Sequence, residues 1–169
     1  MRSADRISGR AICDESRFCE GERPVAPARN TIVRLDDEPD RIAVMAPLLA
    51  REYPGLSVAV FGNAPDLLAW LERFHAQMCF VCLDHDLGPN QQRGGEVFDP
   101  GTGRDVADRL ACLRPCCPIL IHTTNYQAAP GMVAVLEGAG WSVARVSPYG
   151  DTEWIGQDWI EAIRAALPQ

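Results

Sequence analysis

Long apolar runs are absent from the sequence, so we expect neither a membrane-spanning segment nor a secretory signal. No apolar run approaches the roughly 20 residues needed for a membrane-spanning helix, and the polar N-terminus lacks the apolar core of a secretory signal. Positive charge is also scarce, since the formal net charge is −7. Binding along a nucleic-acid backbone requires many basic side chains. We therefore expect no membrane contact and no extended nucleic-acid surface, whereas one small phosphorylated ligand held by a metal remains compatible with the charge.

The chain has seven cysteines, and their spacing favours buried, reduced thiols. Cys79 and Cys82 have the spacing of a zinc or redox pair, but both fall within an apolar run that is predicted to be a strand. Side chains three positions apart in a strand point to opposite faces, so one metal ion cannot bind both there. Reduced thiols in turn predict a cytoplasmic location.

The composition is that of one folded domain with an N-terminal extension. The chain has 169 residues, of which 47% are hydrophobic and 23% charged, enough for a proper core. Residues 1–29 show no sustained hydrophobic period and contain Pro24 and Pro27. We predict a flexible extension over residues 1–29 and a single α/β domain over residues 30–169.

From Thr31 onward, short apolar runs alternate with amphipathic helical patterns. The predicted strands are Thr31–Leu35, Ser57–Phe61, Cys79–Leu83, Pro118–Ile121 and Trp141–Val146. The predicted helices are Pro39–Arg51, Ala64–His75, Gly103–Arg114, Pro130–Glu137 and a last one from Asp151 or Thr152 to about Leu167. Pro47 predicts a kink or an early end of the first helix. The segment Gly88–Gly103 is predicted to be a long loop, a kind of connection that often forms a lid or a binding site.

This alternation predicts a single doubly wound sheet of five parallel strands with helices on both faces. The natural strand order is the flavodoxin-like 2-1-3-4-5. It places the carboxyl ends of strands one, three and four together, where ligands bind in open α/β sheets.

Acidic side chains follow two of those strand ends. Asp36 and Asp37 follow strand one, and Asp84 and Asp86 follow strand three. Carboxylates suit Mg²⁺ or Mn²⁺, which would neutralise and orient a phosphoryl group. The four acids are therefore candidate metal ligands, although Asp37 and Glu38 could instead cap the first helix.

Two histidines accompany these acids. His85 and His122 could divide the proton transfers of a ring-opening reaction, with Asp84 as a third catalytic candidate. One imidazole would activate water or a ribose hydroxyl, and the other would protonate the leaving oxygen. As alternatives, His122 holds the following loop by hydrogen bonds, whereas His85 faces solvent or binds a transition metal.

Candidate phosphate-binding groups follow strand four and lie in strand five. They are Thr123, Thr124, Asn125 and Arg145. The first three residue types are equally common in an ordinary turn between a strand and a helix.

With Asp36-Asp37, Asp84 and Thr123 in these places, the segment from Thr31 to Leu167 resembles a response-regulator receiver domain. The resemblance implies a metal-binding acid pair, a phospho-accepting Asp84 and a switch hydroxyl on Thr123. Receivers also carry a lysine before a proline after strand five. Here Ser147 precedes Pro148, and Arg145 is the nearest base.

Three segments are similar to a more specific family, the cyclic-phosphate processing receiver domain. They are Leu83–Gly88, His122–Asn125, and Gly138–Trp141 followed by Val146-x-Pro148. This resemblance implies a metal-assisted phosphoesterase, a hydrolase that acts on a cyclic phosphate or a phosphorylated nucleotide. Two alternatives stay open. One is a divergent receiver in signal transduction that accepts a phosphoryl group on Asp84 and contacts a protein partner. The other is a nucleotide sensor without catalysis.

Overall fold

The computed structural model describes residues 28–167, so most of the predicted extension, residues 1–27, lies outside the described part of the chain. The strands are β1 (Thr31–Leu35), β2 (Ser57–Phe61), β3 (Met78–Leu83), β4 (Gln91–Arg93), β5 (Glu96–Phe98), β6 (Ile119–His122) and β7 (Val143–Val146). The helices are α1 (Pro39–Glu52), α2 (Ala64–Phe74), α3 (Gly103–Ala111), α4 (Ala128–Gly138) and α5 (Asp158–Ala166).

The central sheet is parallel and has the order β2-β1-β3-β6-β7. This order confirms the predicted flavodoxin-like topology, in which β6 and β7 are the predicted strands four and five. Leu35 pairs with Leu83, and Leu83 pairs with Ile121. The three strands therefore end side by side, and the residues that follow Leu35 and Leu83 meet at one edge of the sheet.

Each face of the sheet carries its own apolar core. Val33, Val81 and Ile121 pack with buried residues of α2, α3 and α4 on one face. Ile32 and Leu120 pack with buried residues of α1 and α5 on the other. Because strand side chains alternate between the two faces, Arg34 and His122 share the face that α1 and α5 cover. Polar groups of β1 and β6 are thus buried beneath these two helices.

The segment predicted as a loop, Gly88–Gly103, contains the antiparallel hairpin β4–β5. Gly94 and Gly95 form its turn, with φ angles of 60° and 89°. A two-residue hairpin turn with positive φ at both positions favours glycine. The Gln91 side chain donates to the Gly62 carbonyl oxygen at 2.7 Å, and Arg93 pairs with Asp66 of α2. The prediction missed these strands because they show little apolar alternation.

Helix α1 agrees with its predicted range to within one residue: it continues through Pro47 to Glu52, and its residues Met45 and Leu49 pack against the sheet. Tertiary packing of this kind outweighs the hydrogen bond that proline removes. The predicted last helix begins instead as a 3₁₀ turn over Glu153–Gly156, followed by α5. Over residues 28–167, no helix is long and apolar enough to cross a membrane.

Gly103 allows the start of α3 to approach the end of β3. Its N–H donates to the His85 carbonyl oxygen at 2.9 Å, and a Cβ atom at this position would overlap the backbone carbonyl oxygen of Asp84. We expect Gly103→Ala to lower the free energy of unfolding by about 1–3 kcal/mol, because the backbone at Asp84 must shift. Urea denaturation measures this change.

Gly138→Ala is the matched control, since a Cβ atom there meets no atom within 4 Å. In the last helical position of α4 it should stabilise by about 0.5–1 kcal/mol. Equal effects of the two substitutions would show that the contact between Gly103 and Asp84 is not tight.

Candidate active site

A cavity of about 790 Å³ opens at the carboxyl edge of the sheet. Its walls come from the start of α1, the segment after β3, the segment after β6 and the segment between β7 and α5. The charged side chains that line it are Glu38, Asp40, Arg41, Asp84, Asp86 and Asp151. Five carboxylates therefore face one guanidinium, which makes the cavity strongly negative.

Asp36, Asp37 and Asp84 each place a carboxylate oxygen within 4.8 Å of the other two. Asp36 and Asp84 are buried and Asp37 is half-buried, because all three follow strands that end inside the domain. Burial raises the pKa of Asp37, and the nearby charges of Glu38, Asp36 and Asp84 raise it further. Hard oxygen donors under mutual repulsion are a suitable ligand set for Mg²⁺ or Mn²⁺.

Asp36 is the centre of a hydrogen-bond network. Its Oδ1 accepts from the backbone N–H of Glu38 at 3.0 Å, and its Oδ2 lies 3.1 Å from Nε2 of His122. Burial favours a higher pKa for Asp36, but the hydrogen bond from His122 and the charge of Arg41 together lower that pKa below its usual value. Asp36 thus stays ionised although it is fully buried. The side chain of Glu38, at the N-cap of α1, makes no capping hydrogen bond among the described residues.

Arg41 is a residue of this site that the sequence reasoning missed. Its Nη2 lies 2.5 Å from Oδ2 of Asp84 and 3.1 Å from Oδ1 of Asp36. Although burial lowers the pKa of Arg41, the two carboxylates outweigh that effect and raise it. Side chains of a helix lean toward its N-terminus, so an arginine in the first turn after an acid pair is a signal that could have revealed this contact.

His122 lies between two tryptophans and beneath the cavity. Its ring stacks on Trp154 with centroids 5.8 Å apart and meets Trp159 edge-on at 6.4 Å. The side chain is fully buried and does not line the cavity. Its side-chain hydrogen-bond partner among the described residues is the carboxylate of Asp36.

His85 stands between two residues that line the cavity, Asp84 and Asp86, does not itself line it, and is oriented by Asp86. Its Nδ1 is 2.7 Å from Oδ1 of Asp86, and its side chain is 14% exposed. Asn125 donates to both carboxylate oxygens of Asp86 at 3.2 and 3.3 Å. These contacts lower the pKa of Asp86, the hydrogen bond from His85 being the strongest cause. Asp86, predicted as a fourth metal ligand, is thus placed against His85 and outside the cluster of three acids.

The candidate phosphate-binding residues are dispersed. Thr123 is buried, and its hydroxyl accepts from the Asn125 N–H at 3.2 Å. Thr124 lines the cavity. Asn125 also accepts from the Ala128 N–H at 2.9 Å, at the start of α4. Arg145 is exposed over the ring of Tyr126 at 5.8 Å and does not line the cavity.

Arg34 is a second residue that the sequence reasoning missed. It is fully buried in the interior strand β1, and none of its three guanidinium nitrogens has a hydrogen-bond partner among the described residues. Burial lowers the pKa of Arg34, whereas the nearby Asp36 charge favours the protonated form. A positive charge inside an apolar strand is unusual, and that was the available signal.

The fold and the acidic strand ends define a domain of the receiver type. Similar solved structures include the phosphorylated cyanobacterial phytochrome response regulator RcpA, with 13% identity over 83% of this chain and 96% of that chain and a TM-score of 0.62. The Mn²⁺-bound response regulator Rcp1 has 10% identity over 83% and 96%, with a TM-score of 0.59. The response regulator domain of Thermotoga maritima CheB has 10% identity over 81% and 95%, with a TM-score of 0.56. These identities show the fold alone.

The family model of the cyclic-phosphate processing receiver domain matches residues 31–138. The chain belongs to this family, as its three sequence segments indicated. The comparison with curated proteins gave no significant match.

The contact between His122 and Asp36 can be tested by a substitution that keeps the aromatic packing. We expect His122→Phe to lower the free energy of unfolding by about 1–3 kcal/mol, because Oδ2 of the buried Asp36 loses its donor. Urea denaturation at neutral pH measures this loss. His75→Phe is the control, since His75 is partly exposed at the end of α2. A loss no larger than in the control would mean that His122 does not hold Asp36.

Proposed function

We propose that the protein is a metal-assisted phosphoesterase that acts on a cyclic phosphate or a phosphorylated nucleotide. The observation that supports this proposal most directly is the cluster of Asp36, Asp37 and Asp84, of which Asp84 lines the cavity. A volume of about 790 Å³ lies within the range of small-molecule sites. The chemistry of the three carboxylates suits a hard divalent cation, Mg²⁺ or Mn²⁺.

The charge of the cavity supports a requirement for that cation. Five carboxylates line the walls, and a phosphate group would be repelled by them. Bound by Asp37 and Asp84, with Asp36 behind them, the cation would supply charge neutralisation for the phosphoryl group. The chain's own residues would then orient the ligand and transfer the protons.

His85 is the proposed proton-transfer residue. A carboxylate accepts from N–H, so the contact of Nδ1 with Asp86 favours the tautomer in which Nε2 has a free lone pair. That nitrogen can take a proton from water or from a ribose hydroxyl and later return it to the leaving oxygen. Asn125 fixes Asp86 and thereby the imidazole.

His122, the other member of the expected pair, is proposed to be a positioning residue. It acts through Asp36, because its ring is buried between Trp154 and Trp159. Thr124 lines the cavity and is the proposed hydroxyl donor to a phosphate oxygen. Thr123 and Asn125 hold the segment that carries it.

A second candidate function is that of a divergent receiver, with Asp84 as the phosphoacceptor and a protein as its signalling partner. Asp84 and Thr123 follow β3 and β6, as the resemblance to receivers implies. Against this candidate, the chain contains no lysine, and Arg41 lies against Oδ2 of Asp84. The phosphoesterase is therefore the better supported reading.

The test is an assay with 2′,3′- and 3′,5′-cyclic nucleotides in Mg²⁺, Mn²⁺ or EDTA, in which chromatography detects ring-opened product. We expect metal-dependent product that is lost in Asp84→Asn. In His85→Gln the rate should fall by about 10²- to 10⁴-fold, because a proton-transfer group is removed. His75→Gln is the matched histidine control and should keep the full rate, since His75 lies at the other end of the sheet, before β3.

Other results would contradict the proposal in distinct ways. Absence of product, together with a higher melting temperature in the presence of the same nucleotides, would indicate a sensor. Absence of both effects, with Asp84-dependent labelling by acetyl phosphate in Mg²⁺, would indicate a receiver.

A further inference from the structure

We propose that Arg41 is a resident counter-cation of the acidic cluster, which a divalent metal displaces and which then binds the phosphoryl group of the ligand. This inference rests on the metal site of the proposed function and assigns that site a built-in competitor. Because the metal releases Arg41 for the phosphate, the binding of each ligand should strengthen the binding of the other.

The contacts of Arg41 support the first half of the proposal. A single nitrogen, Nη2, contacts Asp84 at 2.5 Å and Asp36 at 3.1 Å. These are two of the three carboxylates that would hold the metal. Asp84 is shared between the two, and a guanidinium and a divalent cation on one carboxylate repel each other. The metal must therefore overcome the Arg41 contact before it can bind there.

The remaining donors of Arg41 support the second half. A guanidinium has five N–H donors in a planar fork that matches a phosphate. Nε of Arg41 is buried and has no hydrogen-bond partner among residues 28–167. The guanidinium is thus incompletely satisfied by the protein, and once it leaves the carboxylates a phosphate oxygen in the cavity would supply the acceptor that it lacks.

The position of Arg41 in the cavity determines which group it can bind. Of the cavity-lining residues in the described part of the chain, Arg41 alone is basic. Arg145, the base expected from the sequence to bind phosphate, does not line the cavity. A phosphate in the cavity therefore has one direct cationic partner from these walls, and that partner is free for it only when a metal holds the carboxylates.

The test is isothermal titration calorimetry of Mg²⁺ binding, with and without inorganic phosphate, on the wild-type protein, Arg41→Gln and Arg104→Gln. Arg104 is an exposed residue of α3 paired with Asp108 and serves as the matched control. Without phosphate, Arg41→Gln should bind Mg²⁺ at least about fivefold more tightly, since its competitor is gone, a ratio at the low end of ordinary coupling between two sites. Phosphate should tighten Mg²⁺ binding in the wild type and in Arg104→Gln, and should tighten it clearly less in Arg41→Gln, where only the direct attraction between metal and phosphate is left.

A measurement of melting temperature addresses the case in which Arg41→Gln is less stable than the wild type. Without its counter-cation the acidic cluster should destabilise Arg41→Gln, and saturating Mg²⁺ should raise the melting temperature of this variant more than that of the wild type. Arg41→Lys, which keeps the charge and loses the planar fork, should restore the stability in the absence of metal but only part of the effect of phosphate, since an ammonium binds phosphate without the two parallel hydrogen bonds.

The contrary outcomes separate the two proposals. If the wild type binds Mg²⁺, if Asp84→Asn abolishes the binding and if Arg41→Gln leaves the affinity and the phosphate effect unchanged, the role of Arg41 is overturned and the metal site stands. If no form of the protein binds Mg²⁺, Arg41→Gln included, both the role of Arg41 and the metal-assisted function are overturned.

Discussion

The site depends on the contacts that keep the fully buried carboxylate of Asp36 ionised. This carboxylate is held from three directions, by the backbone N–H of Glu38, by Arg41 and by His122. A buried carboxylate without such partners would be protonated or would destabilise the fold. The stack of His122 with Trp154 therefore serves the site, because it fixes the donor that keeps Asp36 charged. Arg41 contacts this carboxylate and that of Asp84, and so links the ends of β1 and β3.

The fold and the place of the site could be predicted from the sequence because both depend on local pattern. Apolar runs alternated with helical periods, and the parallel order followed from the lengths of the connections. Asp36 and Asp84 were found because each directly follows a strand, and strands that pair in register end together. The family membership rested on contiguous segments such as Leu83–Gly88, which a family model also detects.

The remaining features could not be predicted because they depend on side-chain direction and on tertiary contact. Sequence places His85 and His122 equally at strand ends, but only the packing of Trp154 and Trp159 shows that His122 is beneath the cavity. Arg41 was missed because its contact with Asp84 joins residues 43 positions apart. The hairpin of Gln91–Phe98 was missed because its polar strands are stabilised by contacts with α2, among them the pair of Arg93 and Asp66.

The central claim is that Asp36, Asp37 and Asp84 form a divalent-cation site with Arg41 as its counter-cation in the absence of metal. Anomalous X-ray diffraction from crystals soaked in MnCl₂ tests it most directly, because manganese is located independently of any model. The account predicts one manganese peak on the carboxylates of Asp37 and Asp84, with the Arg41 guanidinium moved away from Asp84. A fully soaked crystal without a peak at this cluster, and with Arg41 still bridging Asp36 and Asp84, would contradict it.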